Sequence, residues 1–230
     1  MNARLEMLIQ MVSLDGTGLV DVGTDHAMLP IALAQRGYQG CLYASDLHDA
    51  PLQRAVAASV EDGLIDRIQF LKCDGLDACP PNAIDTIVIA GLGGDTICGI
   101  LDRAEWLFES AYTLILQPMQ KMEVVRYWLV HNGFMIDREE LVKENGHIFQ
   151  MFRSRPGISE SYSDAEYLLG RLSQVKDTAL AMEQAEREEG LLRKITDALS
   201  QIPVSPDESA TRSFYLHILQ ELEEYRYGLR

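Results

Sequence analysis

No apolar run in this 230-residue chain approaches the roughly 20 residues needed to cross a bilayer, and Asn2-Ala3-Arg4-Leu5-Glu6 lacks the charged-then-apolar order of a secretory leader. No membrane partner is expected, and a cytoplasmic location is. Cysteine is scarce: Cys41, Cys73, Cys79 and Cys98 form no CxxC pair and lie in or beside apolar segments. Buried free thiols are therefore expected, and no metal. Positive charge is short as well. Twenty Lys and Arg against 35 Asp and Glu leave a formal charge of −15, which argues against broad affinity for nucleic acid, because that affinity comes from cations neutralising phosphates. A local basic face remains open if Arg4, Arg36, Lys121, Arg126, Lys143, Arg153 and Arg155 converge in space. No repeat or low-complexity tract is visible.

Against these absences stands the run Val20-Asp21-Val22-Gly23-Thr24-Asp25-His26-Ala27. Thr17 to Val22 reads as a strand and Ala27 to Gln35 repeats apolar residues at helical spacing, so Gly23 sits in the turn between them. Such strand-to-helix junctions are where open α/β sheets bind nucleotides. Three more segments repeat the logic: Cys41 to Ala44 ends at Ser45-Asp46, Ile68 to Leu71 at Cys73-Asp74-Gly75, and Ile84 to Ala90 at Gly91-Leu92-Gly93-Gly94. A parallel sheet would deliver these acids and glycines to one edge.

Asp46 lies about 20 positions beyond the first glycine turn, the place of a carboxylate that accepts both hydroxyls of a ribose. The turn itself lacks the three-glycine dinucleotide pattern, and Asp25 would oppose a pyrophosphate at a helix N-terminus. That disfavours NAD and FAD. S-adenosylmethionine (SAM) carries no phosphate, is cationic at sulfur and has an amine that a carboxylate can hold, so Asp21 and Asp25 suit it better.

The chain resembles the bacterial tRNA (adenine(22)-N1)-methyltransferases of the TrmK type. The resemblance rests on Arg4-Leu5, Asp21 to Ala27 with Leu29-Pro30, the Asp46 strand end, Pro51-Leu52 with Ala55, Asp74-Gly75-Leu76, Ile89 to Gly94, and Leu116-Gln117-Pro118. It implies a Rossmann-like class I methyltransferase domain, a small helical coiled-coil-like domain, SAM as cofactor and tRNA as substrate. Two positions depart from the family: Leu92 stands where Met is usual, and Met119 where Asn is common. A thioether cannot supply an amide's paired donor and acceptor.

The expected cofactor residues are Asp21, Gly23, Thr24, Asp25, His26, Asp46, Leu47, Asp74, Gly75, Ala90 and Gly91. Asp25 would hold the methionine amine, directly or through water. His26, placed at a helix start that disfavours imidazolium, would be a neutral hydrogen-bonding group. Asp74 would accept the adenine's exocyclic amine beside the close turn at Gly75. Substrate would be met by Leu92, Gly93, Gly94, Gln117, Pro118, Met119 and Arg4, the glycines making room for a flat base. Asp95, and after it Asp25, are the candidate catalytic carboxylates, placed to stabilise the charge that grows on the ring. No aromatic platform for a flipped base is evident near Gly91.

Phe134 to Leu141 and His147 to Arg153 read as a hairpin about Glu144-Asn145-Gly146, an antiparallel edge to the sheet. This places residues 1–155 in an α/β methyltransferase domain and 156–230 in a helical hairpin. From Ser163 onward, Leu168, Leu172, Val175, Ala179 and Met182 make a coiled-coil seam. Ile202-Pro203-Val204-Ser205-Pro206 ends that helix, and Phe214, Ile218, Leu219, Leu222 and Tyr225 form a second stripe. Such a hairpin serves homodimerisation or grips tRNA; its acidity favours the former and the resemblance the latter. Rival functions are methyl transfer to another acceptor, SAM binding without catalysis and, third, a nicotinamide oxidoreductase.

Overall fold

A computed structural model describes residues 2–200 and 206–229. The chain divides into two compact units, residues 1–138 with 142–159, and residues 139–141 with 160–230.

The first unit begins with α1 (Ala3–Met11), whose first turn is capped by Asn2: its Oδ1 accepts from the Leu5 N–H at 2.8 Å. Then β1 (Gly18–Val22), β2 (Cys41–Asp46), β3 (Ile68–Lys72), β4 (Thr86–Leu92) and β5 (Thr113–Pro118) alternate with α2 (Met28–Gln35), α3 (Asp49–Glu61) and α4 (Gly94–Arg103). α5 (Met122–His131) leads into a hairpin of β6 (Phe134–Glu144) and β7 (His147–Pro156). Asn145 and Gly146 turn that hairpin with φ of 51° and 78°, the left-handed pair that suits the twist of two-residue loops.

One seven-stranded sheet results, in the order β3-β2-β1-β4-β5-β7-β6. The pairs from β3 through to β5 are parallel and β5–β7 is antiparallel, which is the Rossmann-like sheet with an antiparallel edge that the sequence implied. Central strands are apolar on both faces because both are covered. Leu19, Val88 and Ile115 pack with α1 and α2 residues such as Leu8 and Leu33 on one side. Val20, Ile87, Ile89 and Leu114 pack with Ile97 and Leu129 on the other. Strand order reverses between β1 and β4, where Val22 pairs with Ile89. Beyond that pair Gly23 turns out of β1 while β4 runs on through Ala90 beside it, at the carboxyl edge where open α/β sheets hold ligands.

The second unit departs from the expected continuous seam. Ser163 and Glu166 form a capping box on α6 (Asp164–Leu169), and Gly170 ends the helix with φ 83°. The chain runs through a short 3-10 turn at Leu172–Gln174 before α7 (Thr178–Ser200) starts, its Leu180 N–H bonded to Asp177 Oδ1 at 2.9 Å. That interruption shifts the stripe: Leu180, Ala181, Gln184, Ala185, Leu192 and Thr196 are buried, while Ala179 is exposed. α8 is Pro206–Leu229. Arg193 pairs with Glu223, and Arg226 with Glu189 and Glu186, so α7 and α8 run antiparallel. Ile218, Leu219 and Leu222 are buried as expected, whereas Phe214 is exposed. The expected break at 202–205 and the side chain of Tyr225 lie outside the described residues.

The thiols are less uniform than expected: Cys79 and Cys98 are buried, Cys73 is half-buried and Cys41 is exposed.

Candidate functional site

At the end of β1, Gly23 takes φ 73°, and the amides of Gly23 and Thr24 both donate to the Ser45 carbonyl at 2.9 Å. Two N–H groups of the turn are thus bound to the β2 edge instead of presented to an anion, which agrees with a turn not built for pyrophosphate. The Thr24 hydroxyl turns back and donates to Asp21 Oδ2 at 2.7 Å. Burial pushes the Asp21 carboxyl up to about 6, against the downward pull of that hydrogen bond.

His26 and Ala27 follow with φ of 62° and 49°. Two successive non-glycine residues in the left-handed region are uncommon and carry strain. α2 begins only at Met28. His26 therefore stands in a left-handed turn ahead of the helix, not at its first position, with Nε2 3.7 Å from Asp25 Oδ1. Asp25 is exposed and takes Arg54 Nε and Nη2 at 2.9 and 2.8 Å.

At the end of β4 the pairing with β5 shifts between Ala90 and Leu92, and Gly91 has φ 81°. A Cβ there would meet nothing within 4 Å, so Gly91 borders open space. Leu92 closes toward Gly23, where a Cβ would stand 3.6 Å from Leu92 Cδ1. Its carbonyl accepts from the Met119 N–H at 2.8 Å. Buried Gln117 donates through Nε2 to the Pro118 carbonyl at 2.9 Å and reaches Met119 Sδ at 3.6 Å.

These two strand ends enclose a cavity of ≈ 320 Å³. Asp21, Gly23, Thr24 and Asp25 line it from β1, Ala90, Gly91 and Leu92 from β4, Gln117 from β5, and Arg4 from α1. Nine expected residues thus share one space. Five lining residues were not assigned there from sequence: Asn2, Leu5 and Leu8 of the first helix, and Met28 and Leu29 of α2. Asn2 as a helix cap followed by Leu5 and Leu8 on one face was the available signal for α1.

Other expected residues stand outside this cavity. Asp46 ends β2, where its Oδ1 accepts from the His48 N–H at 2.7 Å and its side chain is largely buried. The neighbouring Leu47 is exposed. Asp74 is exposed and paired with Arg103 Nη2 at 2.8 Å. Gly75 packs under Ile100, whose Cγ2 a Cβ would meet at 2.7 Å, and its carbonyl accepts from the Ser45 hydroxyl at 3.4 Å.

Gly93 and Gly94 do not open room for a base. A Cβ on Gly94 would lie 2.3 Å from the Lys121 carbonyl oxygen, and its N–H donates to the Gln120 carbonyl at 3.0 Å. Gly94 exists for that close backbone approach, and a Cβ on Gly93 would meet Gln120 Nε2 at 3.3 Å. Asp95, at the start of α4, is exposed and paired with Lys121. Pro118 and exposed Met119 lie beyond the cavity wall.

Six of the seven cations are paired or buried and make no bare basic face. Arg4 is paired with Glu144, Arg36 with Glu6, Lys121 with Asp95, and Arg153 and Arg155 with Asp137. Arg126 is buried, bonded to Gln150 Oε1 at 2.6 Å and stacked 4.6 Å from the Phe152 ring centre. Among the described residues no group of three or more His, Cys, Asp or Glu is disposed to hold a metal, and no helix is long and apolar enough to cross a membrane.

A family model described as a methyltransferase domain matches residues 1–152. Over 164 residues, 71% of this chain and 68% of the relative, the sequence is 26% identical to the tRNA (adenine(22)-N(1))-methyltransferase of Bacillus subtilis (strain 168). A Streptococcus agalactiae protein described as belonging to the NADB-Rossmann superfamily superposes with a TM-score of 0.84 at 31% identity, covering 98% of this chain and 97% of its own. TrmK from M. capricolum, solved with the cofactor product S-adenosyl-homocysteine, gives 0.80 at 26% identity, covering 100% and 97%.

Proposed function

Since this chain belongs to the methyltransferase-domain family, we propose that it transfers a methyl group from SAM to N1 of adenine 22 in bacterial tRNA, in the cytoplasm where that RNA resides. The observation that carries the reading is the juxtaposition, in one cavity at the sheet's switch point, of the sheltered Asp21 carboxylate and the open Gly91 strand end. The relative from Bacillus subtilis bears this activity in its name, and TrmK from M. capricolum was solved with the demethylated cofactor.

The residues present fit SAM. Asp21 is a half-buried carboxylate suited to an ammonium, and Asp46 ends the adjacent strand at the place of a ribose ligand. The Gly23 and Thr24 amides, already bound to Ser45, make no phosphate cradle, and SAM needs none. When bound, it supplies an activated methyl on a sulfonium.

Catalysis then asks mainly for placement. Adenine N1 carries its own lone pair, so no protein nucleophile is required. Gly91, with no Cβ and no neighbour within 4 Å on that side, leaves space for a planar base beside the methionine end of the cavity. Leu92 and Gln117 form the wall against which it is set. Positive charge grows on the ring as N1 is alkylated, and Asp25, though paired with Arg54, lines the cavity where its carboxylate offsets that charge. Asp95, held by Lys121 outside the cavity, is not so placed.

The test is to incubate the purified chain with methyl-labelled SAM and unmodified bacterial tRNA, then map the label by nuclease digestion and mass spectrometry, with Asp46→Ala as control. Label at N1 of adenosine 22, lost in the control, is the expected result. Cofactor binding with no transfer, or label on another acceptor, would overturn the substrate assignment.

A further inference from the structure

Two carboxylates, Asp21 and Asp25, line the cavity, and among the described residues the one cation that lines it is Arg4. The methionine end of SAM is a zwitterion. Asp21 answers its ammonium, but its carboxylate also needs a partner once removed from water.

Arg4 is not a loose surface side chain. Its backbone N–H donates to Glu144 Oε2 at 3.3 Å and its Nε to Glu144 Oε1 at 3.1 Å. The guanidinium carbon lies 4.5 Å from the centre of the Phe149 ring. Glu144 closes β6 and Phe149 stands on β7, so the hairpin holds the first turn of α1. Arg138 of β6 holds the other end, donating to the Gln10 carbonyl at 2.9 Å. Of five guanidinium N–H groups, the Glu144 contact uses the one on Nε. The terminal Nη edge keeps two parallel donors, the geometry a carboxylate accepts in bidentate fashion.

We propose that Arg4 binds the carboxylate of the methionine moiety of SAM, and that Glu144 and Phe149 are positioning residues that hold it there. This rests on the reading of the cavity as a SAM site. An RNA phosphate would ask for the same donors. The zwitterion is the better match, because Arg4 shares the cavity with Asp21, which repels a simple anion but pairs with a group that carries its own ammonium. Arg4 therefore belongs to the cofactor side of the site, not to the acceptor side.

Calorimetric titration of the full chain without RNA tests this, using SAM and decarboxylated SAM as probes. The wild-type chain should bind SAM about 10- to 100-fold more tightly than the decarboxylated form, the worth of a charge-assisted pair. Arg4→Ala should lose that discrimination while still binding the decarboxylated probe as wild type does, which shows the cavity intact. Glu144→Ala separates positioning from simple charge. Removal of a nearby negative charge alone would tighten SAM binding, whereas loss of the positioning contact should weaken it about fivefold or more. Glu144→Gln, which keeps an oxygen acceptor for Nε, should recover most of the loss.

Equal wild-type affinity for the two probes, or tighter SAM binding by Glu144→Ala, would overturn the proposal. So would an Arg4→Ala chain that keeps its SAM affinity and loses only RNA affinity. A wild-type chain that binds neither probe refutes the SAM reading itself, and this inference with it.

Discussion

Thr24 Oγ1 donates a 2.7 Å hydrogen bond to Asp21 Oδ2 across the turn that ends β1. The bond favours the ionised carboxylate, while burial opposes it more strongly and sets Asp21 at about 6, against an ordinary value of 3.8. Because the folded value is raised, the contribution to stability is fully present below about pH 4 and is lost as pH rises through 6, on the order of 1–3 kcal/mol. Ligand-free Asp21→Asn should therefore be the more stable protein at pH 7.5 in denaturant titration. SAM affinity should run the other way. An ammonium needs the ionised partner, so affinity should climb from pH 5, level off above about pH 6.5, and become flat with pH in Asp21→Asn. Thr24→Val, which removes the bond that favours ionisation, should move that inflection upward. A pH-independent wild-type affinity would exclude Asp21 as the ammonium partner.

Asp46 offers a test of the ribose contact that is separable from folding. Its Oδ1 already serves the His48 N–H, so Asp46→Asn keeps the local turn while lowering the carboxylate's acceptor strength, and Asp46→Ala removes both. SAM should bind about tenfold more weakly to the Asn variant and at least about thirtyfold more weakly to Ala. Thermal melting of the two ligand-free variants reports the turn alone. A SAM affinity unaltered in both would remove Asp46 from the site.

Much of this architecture was legible in the chain because its strong signals were local. Four apolar strands each ending in acid or glycine, and Asn145-Gly146 between two extended runs, specify a parallel sheet with a hairpin edge without knowledge of tertiary contacts. The candidate site was legible where a residue's place in the cavity follows from its position at a strand end, as for Asp21, Gly23 and Gly91. It was not legible where a partner far along the chain decides. Gly94 looks like its neighbour Gly91, yet the carbonyl of Lys121 is what requires it. Asp95 looks like a poised acid, yet α4 places it outside the cavity, where Lys121 pairs with it. The seam from Leu168 to Met182 followed helical spacing, but Gly170 at φ 83° and the Asp177 cap broke it into two helices with a shifted face.

The two glycines should consequently fail in different ways. Gly94→Ala forces a methyl into the Lys121 backbone and should destabilise the protein by about 1–3 kcal/mol. Gly91→Ala has room for the methyl but must hold φ 81°, at a cost of about 1–2 kcal/mol, and it fills the space proposed for the base. Urea denaturation beside methylation assays should show Gly94→Ala losing stability and Gly91→Ala losing disproportionately more activity per folded molecule.

Asp25 and Asp95 were both candidate catalytic acids, and their surroundings now rank them. Asp95→Asn loosens an exposed pair with Lys121 and should lower single-turnover methyl transfer by less than about threefold, since screened surface pairs contribute little. Asp25→Asn alters the cavity wall and should slow transfer by about tenfold or more without a matching loss of SAM affinity. The opposite ranking would return the role to Asp95 and require α4 to move when RNA binds.

Met119 is the position at which this chain can be asked what reads the base. Its N–H is fixed to the Leu92 carbonyl at 2.8 Å, and its exposed side chain is reached by Gln117 Nε2 at 3.6 Å. An amide here would offer a donor and an acceptor to a base edge, which a thioether cannot. Met119→Asn keeps the backbone bond and changes only that capacity. If the residue after Gln117-Pro118 contacts the acceptor, kcat/KM for tRNA should change by about tenfold, upward for an adenine edge that pairs with the amide, while SAM affinity stays constant. An unchanged kcat/KM would mean that Met119 stands too far from the base to read it, and that Leu92 and Gln117, which line the cavity, carry the recognition alone.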